Sequence, residues 1–239
     1  MIGAKLLTQA QRDYYVENGY VALEDFLSGE ECDALAGAAD VVAAGHYANI
    51  LNLHAKSEAF HRLIVHPGIL AMIDDLQGAR MIPIGSIFFF CKPGNELEKG
   101  SAWHQDNYAP KAPYGSYLFV AVALDDADET NGSLIVFPGT HKLGDLPSKP
   151  SKNFEFDAKG KVVASYPIGN EVEIPTGYAP VQLRYSKGTL LLVHGHTVHG
   201  APANPSPKRW RRKLYMHYIK DGDPFWPGWN ARRALVDRP

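Results

Sequence analysis

The chain has 239 residues, 45% of them hydrophobic, which is enough to bury a full core within a single domain if that domain is a large β barrel or sandwich. A formal charge of -2 gives no reason to expect nucleic acid or an anionic membrane as partner, and no apolar run approaches the length that spans a bilayer. Cys32 and Cys91 stand far apart in apolar surroundings, and Met1 to Leu7 lacks the apolar core and cleavage site of a secretory signal, so a reducing cytoplasm without a disulfide framework is expected.

Thr8 is placed to cap a helix that runs through Gln11, Tyr14, Tyr15 and Val16 and stops at Asn18-Gly19, where glycine tolerates the left-handed closing conformation. A short strand over Tyr20 to Leu23 follows. Ser28-Gly29-Glu30-Glu31 reads as a capping box, and Cys32, Leu35, Ala39, Val42 and Ala43 make a helical stripe reaching about Gly45. A third helical region between Ser57 and Gln77 divides at His66-Pro67, because proline suits a first helical turn and disfavours helix in the residue before it. Residues 1–79 are therefore expected to be mostly helical support.

From Arg80 the sequence turns β-branched and aromatic. Strands are expected over Met81 to Cys91, Tyr117 to Leu124, Ser133 to Phe137, Val181 to Leu183, Thr189 to Val193 and Lys213 to Ile219, giving a β core over residues 80–220. Gly, Pro, Asn and Asp clusters separate them where helix-length periods would be needed for a parallel sheet, so an antiparallel sandwich or barrel is the expected fold. Residues 145–180 are rich in Lys, Pro and Gly with little apolar periodicity, and a lid over the site is expected there.

Chemistry concentrates at Trp103-His104-Gln105-Asp106. In extended backbone His104 and Asp106 project to one side and Gln105 to the other. One imidazole and one carboxylate facing a common point are two of the three ligands of a two-histidine, one-carboxylate facial triad, which holds non-heme Fe(II) with positions left open. On its own the pair fits a solvated loop equally well. A third ligand is offered by His194, His196 and His199, three histidines at the end of the apolar run Leu190-Leu191-Leu192-Val193, of which some would serve as core groups or fix a ligand's tautomer. Further on, alternation places Arg211, Lys213, Tyr215 and His217 on one face and Arg212, Leu214, Met216 and Tyr218 on the other. A guanidinium looking into a barrel suits the far carboxylate of a metal-chelating dicarboxylate. The other four cations of Lys208-Arg209-Trp210-Arg211-Arg212-Lys213 read as a solvated turn.

Taken together, these residues resemble the phytanoyl-CoA dioxygenase family of Fe(II)- and 2-oxoglutarate-dependent oxygenases. The resemblance covers nearly the whole chain. It runs through Asn18-Gly19-Tyr20-Val21, Phe89-Phe90-Cys91-Lys92-Pro93-Gly94, Trp103-His104-Gln105-Asp106 and Ala123-Leu124-Asp125-Asp126-Ala127. It continues through Asn131-Gly132-Ser133-Leu134, Pro138-Gly139-Thr140-His141-Lys142, and His199-Gly200 with Asn204, Ser206 and Arg211. It implies one domain over 1–239, mainly β with flanking α-helices, folded as a double-stranded β-helix, a cupin-like jelly-roll barrel. It implies Fe(II) held by His104, Asp106 and His199, and 2-oxoglutarate bound through Arg211. It also implies consumption of O2, and hydroxylation of an unactivated C–H bond of a small-molecule substrate with release of succinate and CO2. Related halogenases lack the carboxylate that Asp106 supplies here. Three departures stand out: Ala201 occupies a position that is often Ser, a register slip would bring Arg212 in place of Arg211, and Val122 replaces a common Trp, which implies a wider pocket.

Asn52, His54 and Lys92 are candidates for the barrel mouth, and Gln105 for holding the metal strand in register. Tyr108 and Tyr117 are candidate pocket walls. The aromatic stretch Pro224-Phe225-Trp226-Pro227-Gly228-Trp229 is expected either to pack over the barrel or to form a subunit contact. His-Glu-x-x-His, Gly-x-Ser-x-Gly and P-loop patterns are absent from the sequence. The competing reading is a non-catalytic barrel that binds metal or a small ligand.

Overall fold

Two capping boxes set the amino-terminal architecture. Gln11 N–H donates to the Thr8 hydroxyl while the Gln11 side chain accepts from Thr8 N–H, which starts α1 (Gln9–Asn18), and Gly19 at φ 79° ends it. After β1 (Tyr20–Leu23), Ser28 and Glu31 repeat the device at the start of α2 (Gly29–Ala43), which closes on Ala44 in a left-handed conformation. Then come β2 (Ile50–Leu51), α3 (Glu58–Ile64) and α4 (Pro67–Gln77), with His66 capping the last of these through its own ring nitrogen. The computed structural model describes residues 7–94, 100–156 and 162–239. Residues 1–6, and residues 157–161 of the segment expected as a lid, lie outside the described residues.

The strands that follow are β3 (Met81–Phe89), β4 (Ser101–His104), β5 (Tyr117–Ala123), β6 (Ile135–Val136), β7 (Ser148–Phe156), β8 (Val162–Val172), β9 (Val181–Gln182), β10 (Leu190–His194), β11 (His199–Ala201) and β12 (Lys213–Lys220). They form a six-stranded sheet of order β1-β10-β5-β12-β3-β2, a four-stranded sheet of order β4-β11-β6-β9 and the β7–β8 hairpin. Every pairing between these strands is antiparallel. The two larger sheets enclose an interior of Phe119, Ala121, Leu134, Val136, Leu191, Val193 and Tyr215. The outer face of the six-stranded sheet carries Leu118, Val120, Val122, Leu192, Leu214 and Met216 against the helices. This is the mainly β, jelly-roll arrangement with flanking helices, and alternation explains its two-sidedness, since each central strand buries both faces.

One expectation is corrected, and one segment gains a structure. Val122 lies on the helix-facing side of β5, packed with Leu190 and Leu214, so its size has no bearing on the pocket; Ala121 and Ala123 are the small residues facing inward. The Lys- and Pro-rich stretch after Asp145 is not an irregular loop: β7 and β8 pair along it. Hairpin pairing is a backbone matter and needs no apolar alternation in the sequence. Its base is anchored by Val172, which packs with Phe137 and Val198 on the outer side of the four-stranded sheet.

The tail packs over the barrel. Ala234 and Val236 N–H groups donate to Ile84 and Pro83 carbonyls at 3.0 and 2.8 Å, and Arg238 forms a bidentate pair with Asp74. Phe225 covers Ile82, Ile84 and Ile219. Cys32 and Cys91 are buried, and among the described residues no helix is long and apolar enough to cross a membrane.

Candidate iron and cosubstrate site

The two sheets diverge around a cavity of about 490 Å³ whose walls include His104, Asp106, His199, Arg211, Lys213, Tyr215 and His217. His104 and His199 are direct cross-strand partners in the β4–β11 pair, so their side chains leave the same face of the sheet, and their ring centroids lie 4.4 Å apart. Asp106, two residues beyond His104, opens a 3-10 turn and brings its Oδ1 to 3.2 Å from His104 Nε2 and 3.8 Å from His199 Nε2. One ligand atom from each of the three falls within 4.8 Å of the others.

The hydrogen bonds of the rings decide what they can do. His104 Nδ1 donates to Ala102 O at 2.6 Å and His199 Nδ1 to Thr197 O at 3.0 Å. A carbonyl only accepts, so both Nδ1 atoms carry a proton and both Nε2 atoms point at the common centre, that of His104 toward Asp106 Oδ1. His199 Nε2 is buried with no hydrogen-bond partner. Burying an imidazole acceptor unpaired costs about 1–3 kcal/mol, and ligation of a metal ion removes that penalty. The donor set therefore fits a divalent ion of the non-heme iron type.

Electrostatics point the same way. Burial pushes the Asp106 carboxyl up, but the facing His199 and His104 outweigh it and hold it well below the usual range. Burial, then His104, lowers His199 to about 4, whereas in His104 the hydrogen bond and charge of Asp106 overcome burial and raise it. The centre is an ionised carboxylate between two imidazoles.

Arg211 is 2% exposed, and its Nη2 donates to Pro202 O at 3.1 Å. Arg212 faces the other way and grips Asp125, Nε to Oδ2 at 2.9 Å and Nη2 to Oδ1 at 2.7 Å. The register slip is thereby excluded, because β12 continues from Arg212 with Lys213 opposite Ala123 and Phe89. The reading of four solvated cations is corrected: Lys213 is 7% exposed and lines the cavity, with its ammonium 4.9 Å from the Tyr215 ring centre, and Arg209 pairs with Asp128. Alternation had already put Lys213 on the face of Arg211, and the run of basic residues around it masked that signal.

His194 and His196 lie away from the three-ligand centre. His196 Nε2 sits 3.0 Å from Asp145 and accepts from Asn107 Nδ2 at 3.2 Å, and the ring of His194 packs among Tyr15, Tyr114, His141 and His196. Gln105 points away from the metal side as alternation requires. Its Nε2 donates to Gly144 O and His196 O, and its Oε1 accepts from Leu146 N–H, tying the metal strand to the start of the hairpin segment. Tyr108 and Tyr117 both line the cavity, and Ala201 lines it too. Asn52 and Lys92 do not reach the cavity: Asn52 Nδ2 holds Ala231 O at 2.7 Å, and Lys92 lies over the ring of Tyr47. His54 likewise turns to Ser86 Oγ at 2.8 Å. Arg233, from the tail, and Asn170, from β8, line the cavity without any sequence signal: each reaches it through tertiary packing alone.

Two imidazoles and a carboxylate at the mouth of a jelly-roll, with an arginine just before β12 lining the same cavity, fit the non-heme iron oxygenase class. The chain belongs to the phytanoyl-CoA dioxygenase (PhyH) family, whose profile matches residues 15–213. It is 26% identical to the ectoine dioxygenase of Halomonas elongata over 266 aligned positions, covering 98% of this chain and 77% of that one. Its fold is shared with the non-heme alpha-ketoglutarate-dependent carbocyclase SnoK of nogalamycin biosynthesis, at TM-score 0.73 and 21% identity over 98% of this chain and 93% of that one. It is shared also with EctD from S. alaskensis, solved with 2-oxoglutarate and 5-hydroxyectoine, at TM-score 0.69 and 20% identity over 92% and 78%. The chain is thus a dioxygenase of the iron- and 2-oxoglutarate-dependent kind.

Two outcomes follow. A Cβ at Gly200 would lie 2.7 Å from Trp103 Cε3 and 2.9 Å from Ser101 O, so Gly200→Ala must push β4 off β11 and separate His104 from His199. Calorimetric titration of the metal-free protein with Co(II) is expected to show affinity reduced about tenfold or more, and unchanged affinity would contradict the register argument. Burial, then His141 and His196, hold His194 down to about 3. A histidine lowered in the fold stays neutral there and takes up its proton only on unfolding, so stability is lost as pH falls from about 6.5 toward the folded value. Metal-free His194→Gln is expected to show a shallower fall in stability between pH 7 and pH 5 than wild type, by on the order of 1–2 kcal/mol, and parallel curves would contradict it.

Proposed function

We propose that the chain hydroxylates an unactivated C–H bond of a small-molecule substrate, with Fe(II) held by His104, Asp106 and His199 and the far carboxylate of 2-oxoglutarate held by Arg211. The observation that carries this reading is the combination, in one cavity of about 490 Å³, of three ligand atoms within 4.8 Å of one another and a buried guanidinium. Iron with 2-oxoglutarate supplies, when bound, the oxidation of a C–H bond by O2 coupled to formation of succinate and CO2.

The protein's own contributions are positioning and exclusion. The two Nδ1–H···O=C bonds leave Nε2 of each ring to face the centre, where His199, held neutral, offers a lone pair directly and His104 does so once it gives up the proton that Asp106 favours. Asp106 is already ionised and brings a negative charge that offsets part of the charge of the ion. Phe89, Ile87 and Tyr215 give the cavity wall apolar and aromatic surface, which disfavours water beside a reactive centre. The volume lies within the range of about 300–1,000 Å³ found for small-ligand pockets. The β7–β8 hairpin serves as the lid: Gln105 and Asn170 connect its two ends to the metal strand and the cavity wall.

Oxygen-free calorimetry of the Fe(II)-loaded protein tests the arginine assignment. Arg211→Met is expected to raise the 2-oxoglutarate dissociation constant about tenfold to a hundredfold, the scale of a charge-assisted hydrogen bond. Arg212→Met, which loses the Asp125 pair and the contact with the Trp210 ring but is not part of the cavity wall, is expected to raise it far less. Equal effects of the two substitutions would overturn the assignment.

A further inference from the structure

The part of the cavity beyond Tyr215 is built from residues that the iron and cosubstrate assignments do not use. Tyr215 and His217 share the inner face of β12, and six residues, about 20 Å if extended, separate His217 from Arg211, which lies just before the strand. His217 is 5% exposed, its Nδ1 lies 2.6 Å from the Tyr117 hydroxyl, and its Nε2 is buried without a hydrogen-bond partner. Burial pushes the phenol of Tyr117 well above its ordinary value and lowers His217 to about 4, so both groups are neutral. A phenol donates more readily than a neutral imidazole N–H, so Tyr117 donates to Nδ1 and His217 keeps its proton on Nε2.

Arg233 joins His217 in lining this part of the cavity. The tail that carries it is pinned on both sides. Arg233 N–H donates to Pro227 O at 2.9 Å, Ala234 N–H to Ile84 O at 3.0 Å, and Asn52 Nδ2 to Ala231 O at 2.7 Å. Beneath it lies Gly85, the cross-strand partner of His217, where a Cβ would already stand 3.7 Å from Arg233 Cγ. Among the described residues no carboxylate pairs with Arg233. Its Nε is buried without a hydrogen-bond partner, and its Nη1 reaches only Pro227 O at 3.5 Å. Asp106, the one carboxylate among the described lining residues, stands at the two imidazoles.

We propose that Arg233 and His217 form the seat for an oxyanion of the substrate, a carboxylate or a phosphate, and that the substrate is therefore a small anionic molecule. Its anionic end is held at the tail and its reactive carbon projects toward His104 and His199; this orientation, though not the seat itself, rests on the oxygenase reading. Arg233 is then the specificity-determining residue, delivered by the tail, and Tyr117 positions His217.

The test titrates protein loaded with Fe(II) and 2-oxoglutarate under argon with butyric, hexanoic and phenylacetic acids and their primary amides, and with benzyl phosphate beside benzyl alcohol. Binding is followed by calorimetry, and the visible band of the iron-bound cosubstrate is recorded in parallel. In wild type the anions are expected to bind at least about tenfold tighter than their neutral partners. That preference is expected to vanish in Arg233→Gln and to return in part in Arg233→Lys, with the visible band present in all three. A stronger gain for the phosphate identifies a phosphorylated substrate, and a stronger gain for the acids a carboxylic one; either supports the seat. Absence of any preference for anions, silence across the whole panel included, overturns it, as does a preference that survives in Arg233→Gln or a band lost in that variant. A missing band in wild type overturns the oxygenase reading instead, and the calorimetric preference still decides the seat.

Discussion

The pairing of β4 with β11 is the constraint on which the site depends. Opposing His104 to His199 across two antiparallel strands puts two imidazoles on one face at 4.4 Å between rings, without any loop having to be shaped for the purpose. A shift of one residue would send one ring to the opposite face. The register is held by Gly200, over which Trp103 packs closely, and by Ser101 Oγ, which accepts from Ala201 N–H at 2.9 Å. Beyond the strand end, Asp106 completes the set from a 3-10 turn that is itself tied down, since Asn107 N–H donates to Gly195 O and the Asn107 side chain to Ala112 O.

Polar side chains with no direct part in the chemistry hold the loops that bring these strands together. Asn204 bridges Cys91 O and Arg209 O, fixing the approach to Arg211, and Asn131 joins Asp126 O to Trp210 O. Thr140 accepts from Val198 N–H, just before His199. The Arg212–Asp125 pair lies on the side of the chain opposite Arg211, which is held inward by its own burial and its bond to Pro202 O. Buried polar groups satisfied in this way specify a single arrangement, because each alternative register leaves several of them unpaired.

Most of the scaffold was legible because it is written in local chemistry. The two capping boxes, the His66-Pro67 division and the alternation of β12 are short-range signals, and the elements formed where they pointed. His104, Asp106, His199 and Arg211 were singled out by spacing and resemblance, and the structure brings all four to one cavity. The pattern failed where position depends on long-range packing. Nothing near Arg233 or Asn170 announces that the tail and the hairpin end at the cavity. Val122 was assigned to the pocket although the phase of its strand turns it to the helices. Lys213 was lost among neighbouring cations whose partners, Asp125 and Asp128, lie some eighty residues away in sequence.

The most direct test of the central claim is anaerobic addition of Fe(II) and 2-oxoglutarate to the metal-free protein, watching for the weak visible absorption of the iron-chelated cosubstrate in wild type and in His199→Ala. The band is expected in wild type and is expected to be lost in the variant, with circular dichroism and a cooperative melt showing that the metal-free variant is still folded despite the cavity left by the buried ring. A folded wild type that binds Fe(II) without developing the band, or a band of equal strength in His199→Ala, would contradict it.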